Sequence, residues 1–200
     1  MARPRTFDET AVLEAAAAQF RVHGYADTST EQLCEAADVR RSSLYNAFTS
    51  KSELFVRALE HYASTMRARQ EAILTDASLS GAARLRKLVD AIIDEERAAR
   101  SEGHAAGCMS VHALMNPDLR ARDERIARIL DRDVQERLGL LEDALRAGRA
   151  DGSIPDGPDV REGALLVNTL ISGIRVTAQI GLPPEVLRRI VLDGLRSLLP

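Results

Sequence analysis

Several things are scarce in this sequence, and each scarcity narrows what the chain can be. Among 200 residues there is no tryptophan, with three tyrosines and four phenylalanines. No Val/Ile/Thr alternation runs between hairpin turns, so a sheet protein does not fit. The two cysteines, Cys34 and Cys108, lie far apart, which rules out a disulfide framework and makes a reducing cytoplasm the expected setting. No basic start leads into an apolar run as a secretory signal requires. The most apolar stretch, residues 164–180, is interrupted by Asn168, Thr169, Ser172 and Arg175, so a membrane span is not expected. Neither sign of charge dominates: 27 basic against 30 acidic residues leave a net charge of −3. That balance excludes a uniformly basic protein but not a local basic patch. Internal repeats are absent too.

What is present is a chain with 45% hydrophobic and 28% charged residues, in long runs at helical spacing. This predicts an all-α fold with a real core. Residues 24–54 organise the rest. Two short apolar-patterned segments, TEQLCEAA and RSSLYNAF, are separated only by Asp38, Val39 and Arg40, the layout of a helix-turn-helix. A first helix starts near Asp8, carries Leu13, Ala16, Ala17 and Phe20 on one stripe, and ends at Gly24. Ser29 with Gln32 has capping-box spacing for the second helix. Leu33, Ala36 and Ala37 should point inward, with Val39 in the turn and Leu44 and Phe48 from the third helix. Arg3 and Arg5 are either a frayed terminus or an arm reaching DNA. Acids and bases balance to within one over residues 1–57, so any basic face comes from the arrangement of Arg3, Arg5, Arg40, Arg41 and Lys51.

The stretch GYADTSTEQLCEAADVRRSSLYNAFTSKSELF resembles the N-terminal signature of TetR-family transcriptional repressors over residues 8–56. The resemblance implies a three-helix DNA-binding domain at residues 1–50 and a ligand-binding and dimerisation domain at residues 51–200, with about nine helices in all. It further implies that Tyr45 and Lys51 contact phosphates and that Thr28 and Ser29 approach the DNA backbone. Arg40, Arg41, Ser42, Ser43 and Asn46 are the candidates for base edges, Arg to guanine and Asn to adenine being the natural pairs. Four positions depart from the family pattern: Cys34, Asp38, Arg40 and Ser42. Asp38 stands where glycine is common, and aspartate is one of the few other residues that tolerates a left-handed backbone.

Beyond the head, the spacing predicts helices over residues 51–76 and 81–100, a short one over CMSVHALM, a long charged one over residues 118–150, and a last pair over about 160–180 and 184–199. That last pair is apolar around most of its circumference, and a second copy of the same pair is the expected cover, giving a homodimer. Cys108 lies between His104 and His112, and three readings stand beside one another. H-x3-C-x3-H could hold a metal, although Gly103 and Gly107 break the helix it needs and no fourth ligand is apparent, so no metal or cofactor is assigned. Cys108 could be a reactive thiol at a helix start, as in some TetR-like sensors of electrophiles and oxidants. It could also be a small buried apolar residue. The family resemblance implies an inducer pocket in the body, with Cys108, Met109, His112, Met115, Asn168, Ser172 and Arg175 as lining. A Cys108/His112 enzyme lacks an orienting acid, an oxyanion loop and a phosphate cradle. The expected function is a dimeric repressor on a palindromic double-stranded operator, released by a small molecule or an electrophile or oxidant. An activator or accessory regulator is the alternative.

Overall fold

A computed structural model describes residues 8–101, 103–104, 107–157 and 159–199; Arg3 and Arg5 lie outside the described residues. Ten α-helices and no strand are found among them. α1 (Glu9–Asp27) starts where the acids predict, with the Asp8 carboxylate accepting from Ala11 N–H at 3.2 Å. Gly24 takes a left-handed φ of 75° but kinks this helix rather than ending it, because helical backbone resumes through Asp27. α2 (Thr30–Ala36) begins on the full capping box: Ser29 Oγ accepts from Gln32 N–H and Gln32 Oε1 accepts from Ser29 N–H. Asp38 adopts the left-handed turn at φ 50°, and α3 (Arg41–Phe48) follows. Of the head's expected core, Leu33, Leu44 and Phe48 are buried, whereas Ala36 is exposed because the last turn of α2 stands at the surface.

α4 (Lys51–Leu74) leaves the head, and α5 (Gly81–Ser101) returns beside it. The short α6 (Met109–Leu114) is followed by α7 (Pro117–Arg122) and the long α8 (Glu124–Ala150). The expected single helix over residues 118–150 is therefore two. Asn116 and Pro117 form an N-cap and first turn, and Asp123 leaves helical geometry to cap α8 through Arg125 N–H. α9 (Val160–Thr177) tightens into a 3₁₀ turn, Ala178–Ile180, before α10 (Pro184–Gly194). The last helix ends five residues short of Leu199, although Leu195, Leu198 and Leu199 remain buried.

Two apolar cores form. The first joins α1–α3 and the N-terminal half of α4 to Met109, Ala113, Leu119, Ile126, Ile129 and Leu130, so α6–α8 brace the head directly. The second fills the space between α5, the C-terminal half of α8, α9 and α10. α5 crosses α8 at a glycine pair; a Cβ on Gly81 would fall 2.3 Å from Gly148 Cα. Val160–Ile180 is long and apolar enough, by length and composition, to cross a membrane. Its Ala164, Val167, Ile171 and Ile174 nevertheless pack into the second core. The outward stripe of Leu165, Thr169, Gly173, Val176 and Ile180 is exposed and uncharged, with Ile180 75% exposed.

Candidate nucleic-acid interface

The head presents α3 as an exposed ridge. Leu44 and Phe48 anchor it, which turns Arg41, Ser42 and Asn46 to solvent with Tyr45 on the flank. Arg40, exposed, is the residue before the first turn and makes no side-chain cap. Arg41 is parked: Nη1 donates to Glu31 Oε1 at 2.9 Å, and its guanidinium lies 5.6 Å from the Tyr45 ring centre. Such an exposed pair is weak and easily exchanged for a phosphate or a base edge. The ridge thus offers a fork of donors, two small hydroxyls and an amide, the chemistry of a major-groove reader.

Tyr45 and Thr30 hydroxyls stand 3.3 Å apart, tying α3 to the start of α2. Lys51 opens α4 with its Nζ 4.6 Å from the centre of the Tyr25 ring and 3.5 Å from Ala26 O. Burial lowers its ammonium below the ordinary lysine value, against the opposing pull of Asp27. Ser50 Oγ accepts from Glu53 N–H and fixes the first turn of α4 beneath it. Ser29 is exposed at the start of α2. Thr28 is not: it is buried and its hydroxyl donates to Gly24 O at 2.6 Å. Its side chain closes the α1 kink.

In the body, Cys108 is the N-cap of α6 and half-buried. Tyr62 of α4 lines a cavity with it, and the tyrosine hydroxyl is held well above its ordinary value by burial and then by Cys108. Ser172 and Arg175 line the same cavity of about 40 Å³, room for a water molecule or so. Arg175 is closed in: Nη1 donates to Glu96 Oε1 at 2.8 Å and Nη2 to Glu95. Burial opposes its charge, yet Glu95, Cys108, Tyr62 and Glu96 hold its guanidinium above the ordinary value. Gly107, at φ 63°, sits so close to α1 that a Cβ would stand 2.6 Å from Arg21 O.

The profile for bacterial regulatory proteins of the tetR family matches residues 12–58. The HTH-type transcriptional repressor ComR of Escherichia coli is 32% identical over 97% of this chain and 90% of its own length. BdcR, also an E. coli HTH-type transcriptional repressor, is 31% identical over 60% of this chain and 59% of its own. Among solved structures, a cysteine mutant of the regulator CifR complexed with 26-bp double-strand operator DNA is 31% identical. It covers 98% of this chain and all of its own, with a TM-score of 0.78. The chain belongs to the TetR family.

Within that TetR-family frame, Ser29, Arg40, Arg41, Ser42 and Asn46 are exposed, and Ser43, Tyr45 and Lys51 are half-buried on the same side of the head. The body candidates do not converge as one pocket. Met109 is fully buried in the head's core and Met115 is 67% exposed. His112 lies beside Gly24 and Tyr25 at the joint between α1 and α6. His104 lines a separate cavity with Arg100 and Gly181, so the three side chains of H-x3-C-x3-H diverge; Gly103 and Gly107 both take positive φ and break the helix between them. Asn168 accepts from Arg137 Nε at 2.8 Å, and Arg137 also pairs with the buried Asp133. Glu95, Glu96, Asp133 and Tyr62 were missed as partners. Glu96 carried a signal, for it continues the apolar stripe of Ile92 and Ile93, where an acid needs a cation.

Proposed function

We propose that this TetR-family regulator is a cytoplasmic homodimeric repressor that binds a palindromic double-stranded operator. The observation that carries the reading is the exposed face of α3, with Arg41, Ser42 and Asn46 outward and Tyr45 and Lys51 flanking them. Arg40, Ser43 and Ser29 complete the contact set, the first two toward bases and the last toward phosphate. The curated relatives ComR and BdcR are repressors, which supports the sign of regulation. Two copies join through α9 and α10: Leu165, Val176, Ile180 and Ile190 are exposed apolar residues there, and Gly173 has open space over it for close helix approach. Residues 1–50 then read DNA while residues 51–200 sense and dimerise.

Release is proposed to start at Cys108. Alkylation or oxidation of its thiol adds volume beside Tyr62 and Arg175, where about 40 Å³ is free. The displacement passes to the head through Gly107 and α6, which pack on α1. A modification that favours the displaced state lowers operator affinity by its preference for that state.

The test is selection of bound sequences from a random DNA pool, followed by titration of the selected operator. Arg41→Ala should weaken binding about tenfold to a hundredfold. Lys51→Ala should reduce the salt slope by about one. Unchanged affinity and salt dependence in both variants would remove α3 as the reading face. Treatment with a mild electrophile should release the operator from the parent protein and leave Cys108→Ser bound; equal release from both would place sensing elsewhere.

A further inference from the structure

A cavity far larger than the one at Cys108 lies elsewhere in the molecule. It is a groove of about 580 Å³ between α1, α4 and α8, on the seam where the head meets the body, and its size is that of a small-molecule site. Leu13, Val56 and Ile129, one from each helix, form an apolar floor. Around this floor stand Arg57, Arg125, Arg128 and Arg132 against a single lining acid, Glu60. Three of the arginines already share charge with carboxylates: Arg57 with Glu9, Arg125 with Glu53 at 2.9 Å, and Arg132 with Glu60. Arg128 makes no ion pair among the described residues and is exposed at the groove. On the inner wall, His61 Nε2 is enclosed without a hydrogen-bond partner, Glu14 Oε1 standing off at 3.8 Å.

We propose that this groove binds an amphipathic carboxylate, an aliphatic chain with an anionic head, as a second effector. The chain would lie on Leu13, Val56 and Ile129, where it removes apolar surface from water. The head would take the fork of Arg128, the guanidinium free to turn toward it, and a carboxylate accepts two parallel N–H donors from one arginine. His61 supplies a further polar contact. A neutral alcohol of the same length satisfies the floor but not Arg128, and inorganic phosphate satisfies Arg128 but not the floor. Because α1 and α4 carry the head and α8 belongs to the body, a ligand across all three fixes their relative placement and is coupled to operator binding. That coupling rests on the operator-binding function proposed above; ligand binding itself does not.

Isothermal titration of the full-length protein with sub-micellar decanoate should give saturable binding in the micromolar range, with decanol and inorganic phosphate each weaker by about tenfold or more. Arg128→Glu should lose about tenfold or more in decanoate affinity with its melting temperature little changed, since Arg128 is exposed and only its longer-range attraction to Asp123 is lost. Saturating decanoate should shift operator affinity of the parent and leave that of Arg128→Glu unmoved. Absent decanoate binding, decanol binding equally well, or full affinity in Arg128→Glu would each overturn the site. Binding with no operator shift, in a protein that does bind operator, would overturn its role as an effector site. A protein that binds decanoate but no DNA would instead overturn the operator reading and leave the ligand site standing.

Discussion

Arg41 on α3 and Arg175 on α9 each hold a glutamate at hydrogen-bond distance, in opposite surroundings. Side chains of the Arg41–Glu31 pair are 63% and 71% exposed, whereas those of Arg175–Glu96 are 8% and 3% exposed. In water an ion pair is worth little and is exchanged freely, which suits a side chain that must leave its partner for DNA. Inside the body the same chemistry is committed: the Glu96 carboxylate and the Arg175 guanidinium have left water together, with Glu95 half-buried at the edge, and neither buried partner can be removed alone. The head keeps its charges available, and the body spends its charges on holding α5 and α9 together.

The largest effect that would break this contrast is on Arg175. Arg175→Ala takes the guanidinium away from the buried Glu96 and from Glu95 and should cost about 3–5 kcal/mol in urea unfolding. A loss as small as that of a surface variant would mean that the cluster is open to water. Next is the glycine crossing of the body. Gly81→Val forces a side chain into backbone atoms of α8, with Gly148 Cα at 2.3 Å and Ala144 O at 2.6 Å from the new Cβ. The expected cost is about 1–3 kcal/mol in the same measurement. Arg41→Ala should move stability by less than about 1 kcal/mol, because its pair is exposed. Its loss should appear in operator titration instead, so a variant that unfolds early would erase the distinction between the two arginines.

How far each region could be read from sequence follows the same division. The head's structure is set by neighbours in the chain: the Ser29–Gln32 box spans three residues, and the Asp38 turn follows from a local backbone preference. Its exposed reading residues come from one short helix with two inward anchors. The Thr28 hydrogen bond was not legible, because a threonine at a helix start caps, faces out or bonds backward with equal local sense, and only the kink at Gly24 decides. In the body the deciding contacts run from Arg175 to residues 79 and 80 positions away, which no local pattern signals. Most helix positions were legible there, apart from the split at Asp123 and the end of α10 at Gly194, and pairings were not. The break at Asp123 was within reach, since Asn116 and Pro117 are a helix start and an aspartate six residues on can begin another.

The smallest effect concerns the joint between the two regions. His112 on α6 faces the kink of α1, where a Cβ on Gly24 would meet its Nδ1 at 3.6 Å. Burial lowers its imidazole below the ordinary histidine value, so the folded protein holds it neutral where the unfolded chain would begin to protonate it. Stability from this group is therefore complete above the ordinary value of about 6.5 and is lost as the pH falls through it, down to the folded value. Melting temperature should drop between pH 7 and pH 5, and His112→Gln should flatten that part of the profile. An identical slope in both proteins would mean that protonation does not disturb the α1–α6 contact. The experiment also reaches function, because α6 carries Cys108 at its start and His112 in its last turn. If acid loosens the joint, operator affinity of the parent should fall over the same pH range more steeply than that of His112→Gln.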